Sequence, residues 1–306
     1  LLCYHLCMTR EYPETMQEFA ERFSTETACR EYLALVRWGQ SFVCSRCGHT
    51  KIWNIRRNGL KCTRCHHEVS VTAGTVLQDT HVPLQLWFQA LWCIVSQKHG
   101  VSALGLSRAL GIKRYETAWK LLKKIRGAMI RPHREHLSGL VEVDEVFLGG
   151  VRPRIGGRSS LRKILILIAA EDKGHCIGRI RIQVIVDATL VSLNGAMREM
   201  IKPGSMVRTD GWIGYQGIVR NGYRHTVIKR RPSNPGDNPT PLCHRVSSLL
   251  KRWLLGTHQG GVRRQHIQLY LDEFVFRFNR RSSRSRGKLF YRLIQHMTYE
   301  EKTVVE

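Results

Sequence analysis

The chain has 306 residues, enough for one large domain or for two to three small ones, each with its own core. Its 49 Lys and Arg stand against 24 Asp and Glu, a formal charge of +25 that argues against an ordinary enzyme of small metabolites and for a polyanionic partner. The basic residues are spread along the chain and no apolar run is long enough to span a bilayer, so nucleic acid is favoured over a membrane.

The opening LLCYHLCMTR is apolar but has no basic leader and no small-residue cleavage site, so it does not read as a signal peptide. Residues 1–40 are expected to form a small helical region, with Phe19, Phe23, Cys29, Leu33 and Leu35 recurring among charges. Of the ten cysteines, four form a metal-type pattern and the rest are scattered, which suits a reducing cytoplasm better than a disulfide scaffold.

That pattern is Cys44-x2-Cys47 and Cys62-x2-Cys65 with 14 residues between the pairs, the spacing of a zinc ribbon expected over residues 41–72. Each CxxC turn aims two sulfurs at one tetrahedral Zn2+. Four thiolates close the site, so the ion is structural and His49, His66 and His67 are expected to face solvent or DNA. Arg46, Lys51, Arg56, Arg57, Lys61 and Arg64 surround the cysteines, as a DNA-contacting surface or as a solvated face.

After Pro83, Leu84, Trp87, Phe88, Leu91, Trp92 and Val95 recur at helical spacing and open a helical module over residues 84–130. Within it, Ser102 to Leu110 reads as a short helix and Gly111 as a turn. A longer helix follows with Tyr115, Trp119, Leu122 and Ile125 on one face and Lys113, Arg114, Lys120, Lys123 and Lys124 elsewhere. This is a helix-turn-helix pattern, although many helical hairpins share it without touching DNA.

From Leu140 the period changes to that of strands. LVEVDEVFL, KILILIAAED and GRIRIQVIVDAT read as three strands, LVSLNGAMREMI as a helix, and SMVRTD and YRHTVIK as two further strands. The longest apolar run, Ile164 to Ala170, lies in the second of these. Together they predict a mixed sheet covered by helices over residues 138–300, in an α+β or α/β multidomain chain. A Pro-rich loop, Arg230 to Pro241, precedes a last helical region from His244 to about Asn279 that breaks near GTHQGG.

Asp144 sits mid-strand among apolar neighbours, where an ionised carboxylate needs a cation or a base. Asp210 ends another strand, with Gly211 after it to turn the chain. Two strand-borne carboxylates brought together repel each other, and a divalent metal relieves the repulsion; a strand-end Asp also commonly just caps a turn. A helix is expected to follow Asp210. On the helix near His244, Lys251 lies seven residues on and on the same face, placed to meet a phosphate beside the metal.

Asp144, Asp210, the helix of His244 and Lys251, the upstream ribbon, LLKRWLLGTHQG and YLDEFVFRFNRR together resemble bacterial insertion-sequence transposases of the DDE type. The resemblance is closest to the ISXO2-like group, with an N-terminal zinc ribbon and a ribonuclease H-like catalytic domain, and runs from about Thr15 to Leu293. It implies that Asp144, Asp210 and His244 hold catalytic Mg2+ or Mn2+, with Lys251 assisting. In the wider superfamily the position of His244 usually carries Glu, and in the group it resembles some members carry Asn or His there. A neutral imidazole suits Mn2+ better than Mg2+, so His244 could bind metal, hold a metal-bound water, shuttle a proton, or only cap the helix or touch phosphate.

Competing carboxylates are Asp187, Asp237, Asp272 and Glu273; Glu142 and Glu145 are expected to point away from Asp144 on the opposite face. The segment from Arg277 to Arg292 has seven basic residues and no acid, so Arg280 and Arg281 are candidate DNA contacts beside Arg114, Lys120, Lys123 and Lys124. Arg154 to Lys163 is another. The expected protein is a cytoplasmic, nucleoid-associated transposase acting on double-stranded DNA as a homo-oligomer, at least a dimer, without membrane attachment. The rivals are a regulator that binds without cutting, a nuclease that cuts without joining, and a zinc-ribbon RNA-binding protein.

Overall fold

The computed structural model describes residues 12–39, 42–55, 59–131, 133–149, 163–229 and 238–299. The chain forms two compact units, one from the chain up to Arg131 with the segment from Ser283 onward, the other from Pro132–Ser282.

The first unit opens with α1 (Met16–Arg22) and α2 (Glu26–Trp38). The break between them is written in side chains: Thr15 and Thr25 each accept an N–H three residues on, from Glu18 and Ala28, at 3.1 Å. Glu26 also accepts the Leu84 and Gln85 N–H groups at 3.1 Å, capping α3 (Leu84–Ser96) where Pro83 offers no capping side chain. Phe19, Phe23, Phe88 and Trp92 pack edge-on and stacked around Phe290, with ring centroids 4.7–5.9 Å apart.

Phe290 belongs to α9 (Arg286–Thr298), which the sequence alone assigns to a 138–300 domain. Its apolar stripe, Leu289, Phe290, Leu293, Ile294 and Met297, instead completes the first unit's core against α2 and α3. Periodicity shows that a helix has a core-facing stripe, not which core it faces.

The ribbon sheet is antiparallel: β1 (Ile52–Ile55), β2 (Gly59–Cys62) and β3 (Glu68–Val69). The helical pair is α4 (Ala103–Ala109), capped by Ser102, and α5 (Tyr115–Gly127). Here the expected apolar face is shifted. Ala118, Leu121, Leu122 and Ile125 are buried, whereas Tyr115 is exposed and Trp119 only half-buried. The aromatic rings flank the seam that the smaller aliphatic residues make.

In the second unit β4 (Leu140–Leu148), β5 (Ile164–Asp172) and β6 (Ile177–Ile185) form an antiparallel meander, and β7 (Met206–Thr209) and β8 (Arg224–Val227) run parallel to β4. The order β6-β5-β4-β7-β8 puts β4 in the centre, the ribonuclease H-like arrangement of a mixed sheet flanked by helices. Period-2 alternation splits the core. Val141, Val143, Leu165, Leu167 and Ala169 face α6 (Leu190–Met200); Ile166, Ile168 and Ala170 face α7 (Pro241–His258) and α8 (Ile267–Asn279).

The edge strand β6 is closed by two side-chain amides of α8. Gln268 accepts the Val184 N–H (2.9 Å) and donates to the Ile182 carbonyl (3.2 Å); Asn279 accepts the Ile180 N–H (2.8 Å) and donates to its carbonyl (3.1 Å). In place of the helix expected after Asp210 there are two 3-10 turns, Ile213–Tyr215 and Ile218–Asn221. Gly217 and Gly222, both left-handed, stop either from growing into an α-helix. No described helix is long and apolar enough to cross a membrane.

Candidate functional site

The four cysteines converge as their spacing predicts. Cys44 and Cys47 lie on the turn before β1, while Cys62 ends β2 and Cys65 lies on the turn after it. All four sulfurs lie within 4.8 Å of one another, with Cys44–Cys65 and Cys47–Cys62 at 3.6 Å. Each turn is closed by backbone bonds, Cys44 N–H to the His49 carbonyl (2.8 Å) and Cys62 N–H to the His67 carbonyl (2.9 Å). The N–H groups of Cys65 and Arg64 bring the Cys62 thiol down to about 6 against the opposing pull of burial, while Cys47, although the His49 N–H lowers it, is pushed up to about 12 by burial and the sulfurs around it, so the crowded cluster does not ionise evenly without a cation. The cluster fits a zinc ribbon. Its histidines lend backbone carbonyls to the turns, and exposed His66 packs against Trp53 at 5.8 Å.

Asp144 sits in β4, paired across from Ile168, on the sheet face that carries α7. Its carboxylate is buried, and its Oδ2 accepts the Thr240 hydroxyl at 2.7 Å and lies 3.1 Å from His244 Nε2. Thr240 is the residue before α7, and His244 is in that helix's first turn, so one helix start supplies both contacts. Burial raises the Asp144 carboxyl above its ordinary value and the charge of Asp210 raises it further, while Thr240 and His244 oppose the shift.

Asp210 directly follows β7, exposed, with Oδ1 accepting the Trp212 N–H at 2.9 Å. Gly211 turns the chain there at φ +85°, and any Cβ on it would strike the Val227 side chain. Asp210 is thus near enough to act on Asp144 by charge, but the acid site is not a closed cage. Among the described residues, the cysteines are the one group of three or more ligating side chains whose ligand atoms all lie within 4.8 Å. Lys251 is exposed on α7, two turns beyond His244.

The neighbouring glutamates correct the expectation of a shared opposite face. Glu145 does point away from Asp144, and the Tyr215 hydroxyl donates to it at 2.5 Å. Burial raises its carboxyl, and the charges of Asp144 and Asp210 raise it further. Glu142 is two residues from Asp144 and so lies on the same face, fully buried against Cys243 of α7.

Residues 136–279 match the ISXO2-like transposase domain, and residues 24–68 match the transposase zinc-ribbon domain. The two matches put a segment similar to the transposase zinc-ribbon domain upstream of one similar to the ISXO2-like transposase domain. A relative named an uncharacterized protein in transposable element ISH50, from Halobacterium salinarum, is 23% identical over 279 residues, 83% of this chain and 91% of that one. Among solved structures, the catalytic core domain of BIV integrase covers 44% of this chain and 81% of its own, at 19% identity and a TM-score of 0.31.

Within the transposase domain the other carboxylates are engaged elsewhere. Asp187 accepts the Thr189 N–H and the Thr189 and Ser192 hydroxyls at the start of α6, and these bonds hold it below the ordinary carboxylate range. Asp272 accepts from Gln268 at 3.0 Å, and Glu273 pairs with Arg277 at 2.8 Å. Asp237 and the loop from Arg154 lie outside the described residues, as do Arg56 and Arg57.

The candidate DNA contacts divide. Lys113, Arg114, Lys120 and Lys123 are exposed, Lys123 standing 5.6 Å from the Trp119 ring centre, while Lys124 donates to the Gln78 carbonyl at 3.4 Å. Arg280 and Arg281 lie over the Phe276 and Phe278 rings at 4.0 and 4.2 Å. Arg281 also donates to the carbonyls of Phe278 (2.9 Å) and Ile177, and Arg280 to that of Phe276. Both guanidinium groups therefore serve the end of α8, a use that charge counting does not reveal.

Proposed function

We propose that the chain is a DNA transposase that binds the terminal inverted repeats of an insertion sequence and carries out metal-dependent strand cleavage and strand transfer. The observation that supports this most is the buried Asp144 carboxylate, raised by burial and by Asp210 and contacted by His244, inside a transposase domain. Among the described residues no Lys or Arg pairs with Asp144, so a divalent ion suits the charge that Asp144 and Asp210 share. Their oxygens fit Mg2+ or Mn2+, which when bound supplies the charge that stabilises the reacting phosphate and activates its nucleophile.

The chain's own groups divide the remaining work. The hydroxyl of Thr240 orients Asp144 by donating to Oδ2. With Nε2 of His244 against the same oxygen, the imidazole is held to Asp144, which favours orienting the carboxylate and handling a proton over direct ligation through that nitrogen. Lys251, exposed two turns along α7, is placed to meet a DNA phosphate. The ribbon and the Lys113, Arg114, Lys120 and Lys123 surface of α4–α5 supply end recognition, and bringing two ends together calls for at least a dimer. Such a protein works on DNA in the cytoplasm.

The test is cleavage of a labelled duplex carrying the element's terminal repeat, in Mg2+ and in Mn2+, by the wild type, Asp144→Ala and His244→Ala. Cutting by the wild type, lost in Asp144→Ala with DNA binding retained, is the expected result. Binding without cutting in either metal overturns it in favour of a DNA-binding regulator, and nicking without joined products in favour of a nuclease.

A further inference from the structure

We propose that Glu142 is a positioning residue for this site: its one buried carboxylate ties together the three elements that carry Asp144, Asp210 and His244. The inference rests on the reading of those residues as a catalytic centre. Glu142 is two residues before Asp144 on the same face of β4. Its Oε2 accepts from Arg208 Nη2 at 2.7 Å, and Arg208 is two residues before Asp210 and stands directly opposite Glu142 in the β4–β7 pairing. Its Oε1 accepts the N–H of Cys243 at 2.7 Å, the residue before His244. Each bond ends one or two residues from a candidate site residue.

The bond to Cys243 is the more informative. The amides of the first turn of a helix have no partner within it, and a Thr at the cap usually supplies one. Thr240 makes no such bond; its hydroxyl goes to Asp144 instead. Glu142 provides a cap from the strand, with a negative charge where the helix start favours one. So β4 holds α7 at two points, Asp144 through Thr240 and His244, and Glu142 through Cys243, and this fixes where the imidazole stands. Cys243 is fully buried, its thiol directed at the carbonyls of Glu142 (3.4 Å) and Ile168 (3.5 Å), so the contact has little room to slide.

Arg208 also donates to Asp172 at 2.9 Å, so it keeps one carboxylate partner when Glu142 is neutralised. This makes Glu142→Gln an isosteric test. Neighbours that orient metal ligands typically change metal affinity by about 10–100-fold when mutated. Mn2+ is titrated into the full zinc-loaded chain, free Mn2+ being read by electron paramagnetic resonance, for the wild type, Asp144→Asn and Glu142→Gln, with thermal unfolding of each. The expected result is loss of site binding in Asp144→Asn and affinity at least about tenfold weaker in Glu142→Gln, with unfolding as in the wild type. Strand cleavage by Glu142→Gln should recover as Mn2+ is raised.

Wild-type Mn2+ affinity in Glu142→Gln, with Asp144→Asn defective, overturns the positioning role and leaves the catalytic reading standing. Absence of Mn2+ binding in the wild type overturns both. If Glu142→Gln does not fold, Glu142→Asp decides. It keeps the charge beside Arg208 but is one methylene short of the Cys243 N–H, and wild-type affinity in it overturns the proposal.

Discussion

The cysteine cluster of the ribbon and the proposed acid site of the transposase domain place their polar side chains in opposite ways. The ribbon draws four like ligands from a stretch of 22 residues, each pair fixed by its own turn, and gathers them within 4.8 Å. The acid site draws Asp144, Asp210 and His244 from two strands and a helix. It leaves Asp210 exposed in a turn and holds Asp144 against a hydroxyl and an imidazole. The first is the kind of closed four-thiolate arrangement that typically folds around its ion. The second is held by the sheet beneath it, and so can remain open to a substrate.

The contrast breaks most visibly at the ribbon. Chelation, or Cys62→Ser, should unfold β1–β3, since structural zinc contributes on the order of 10–16 kcal/mol in small zinc modules. Hydrogen exchange should show amide protection lost there and kept across β4–β8; a ribbon that stays protected without zinc would undo the comparison. Next in size is Asp144→Ala, expected to lower strand cleavage by roughly a thousandfold or more while DNA binding survives. His244→Ala should cost about a hundredfold in cleavage rate in Mg2+ and Mn2+ alike, as loss of a group that orients Asp144 and handles a proton would.

A gentler test uses pH. The folded chain raises the Asp144 carboxyl, so in the metal-free protein the contribution of Asp144 to stability is greatest where it is protonated, below the ordinary carboxylate range. That stability is lost as pH rises through the raised value. Asp144→Asn should lack this part of the decline, and stabilisation by Mn2+ should grow across the same window in thermal melts. Smallest is the α5 surface: Lys120→Ala and Lys123→Ala should each flatten the salt dependence of DNA binding by about one unit of slope for every phosphate left without its cation, with cleavage of bound DNA unchanged.

What is legible in the sequence follows the same division. The cysteine spacing is a local signal and converges as read. The strands of the sheet are equally local, being β-branched runs between turns, and they begin within a residue of where the runs begin, although GRIRIQVIVDAT is a strand only to Ile185 and YRHTVIK only to Val227. The orientation of side chains is harder to read. Glu142 looks like a flanking residue opposite Asp144 although period-2 alternation gives both one face, and Tyr115 reads as part of a seam that Ala118 and Leu121 fill. Contacts across long separations leave no trace in a local pattern. The bond from Glu142 to the Cys243 amide spans 101 residues and ends on backbone. The arginines at the end of α8 look the same in a charge count whether they grip phosphate or their own chain's carbonyls.

The amides that α8 lays along β6 bear on assembly. An open strand edge invites a second copy to continue the sheet, and repeated addition by that route grows a filament. With Ile180, Ile182 and Val184 already answered by Gln268 and Asn279, a second copy could add to β6 only by displacing these amides, which disfavours growth from that edge of the sheet.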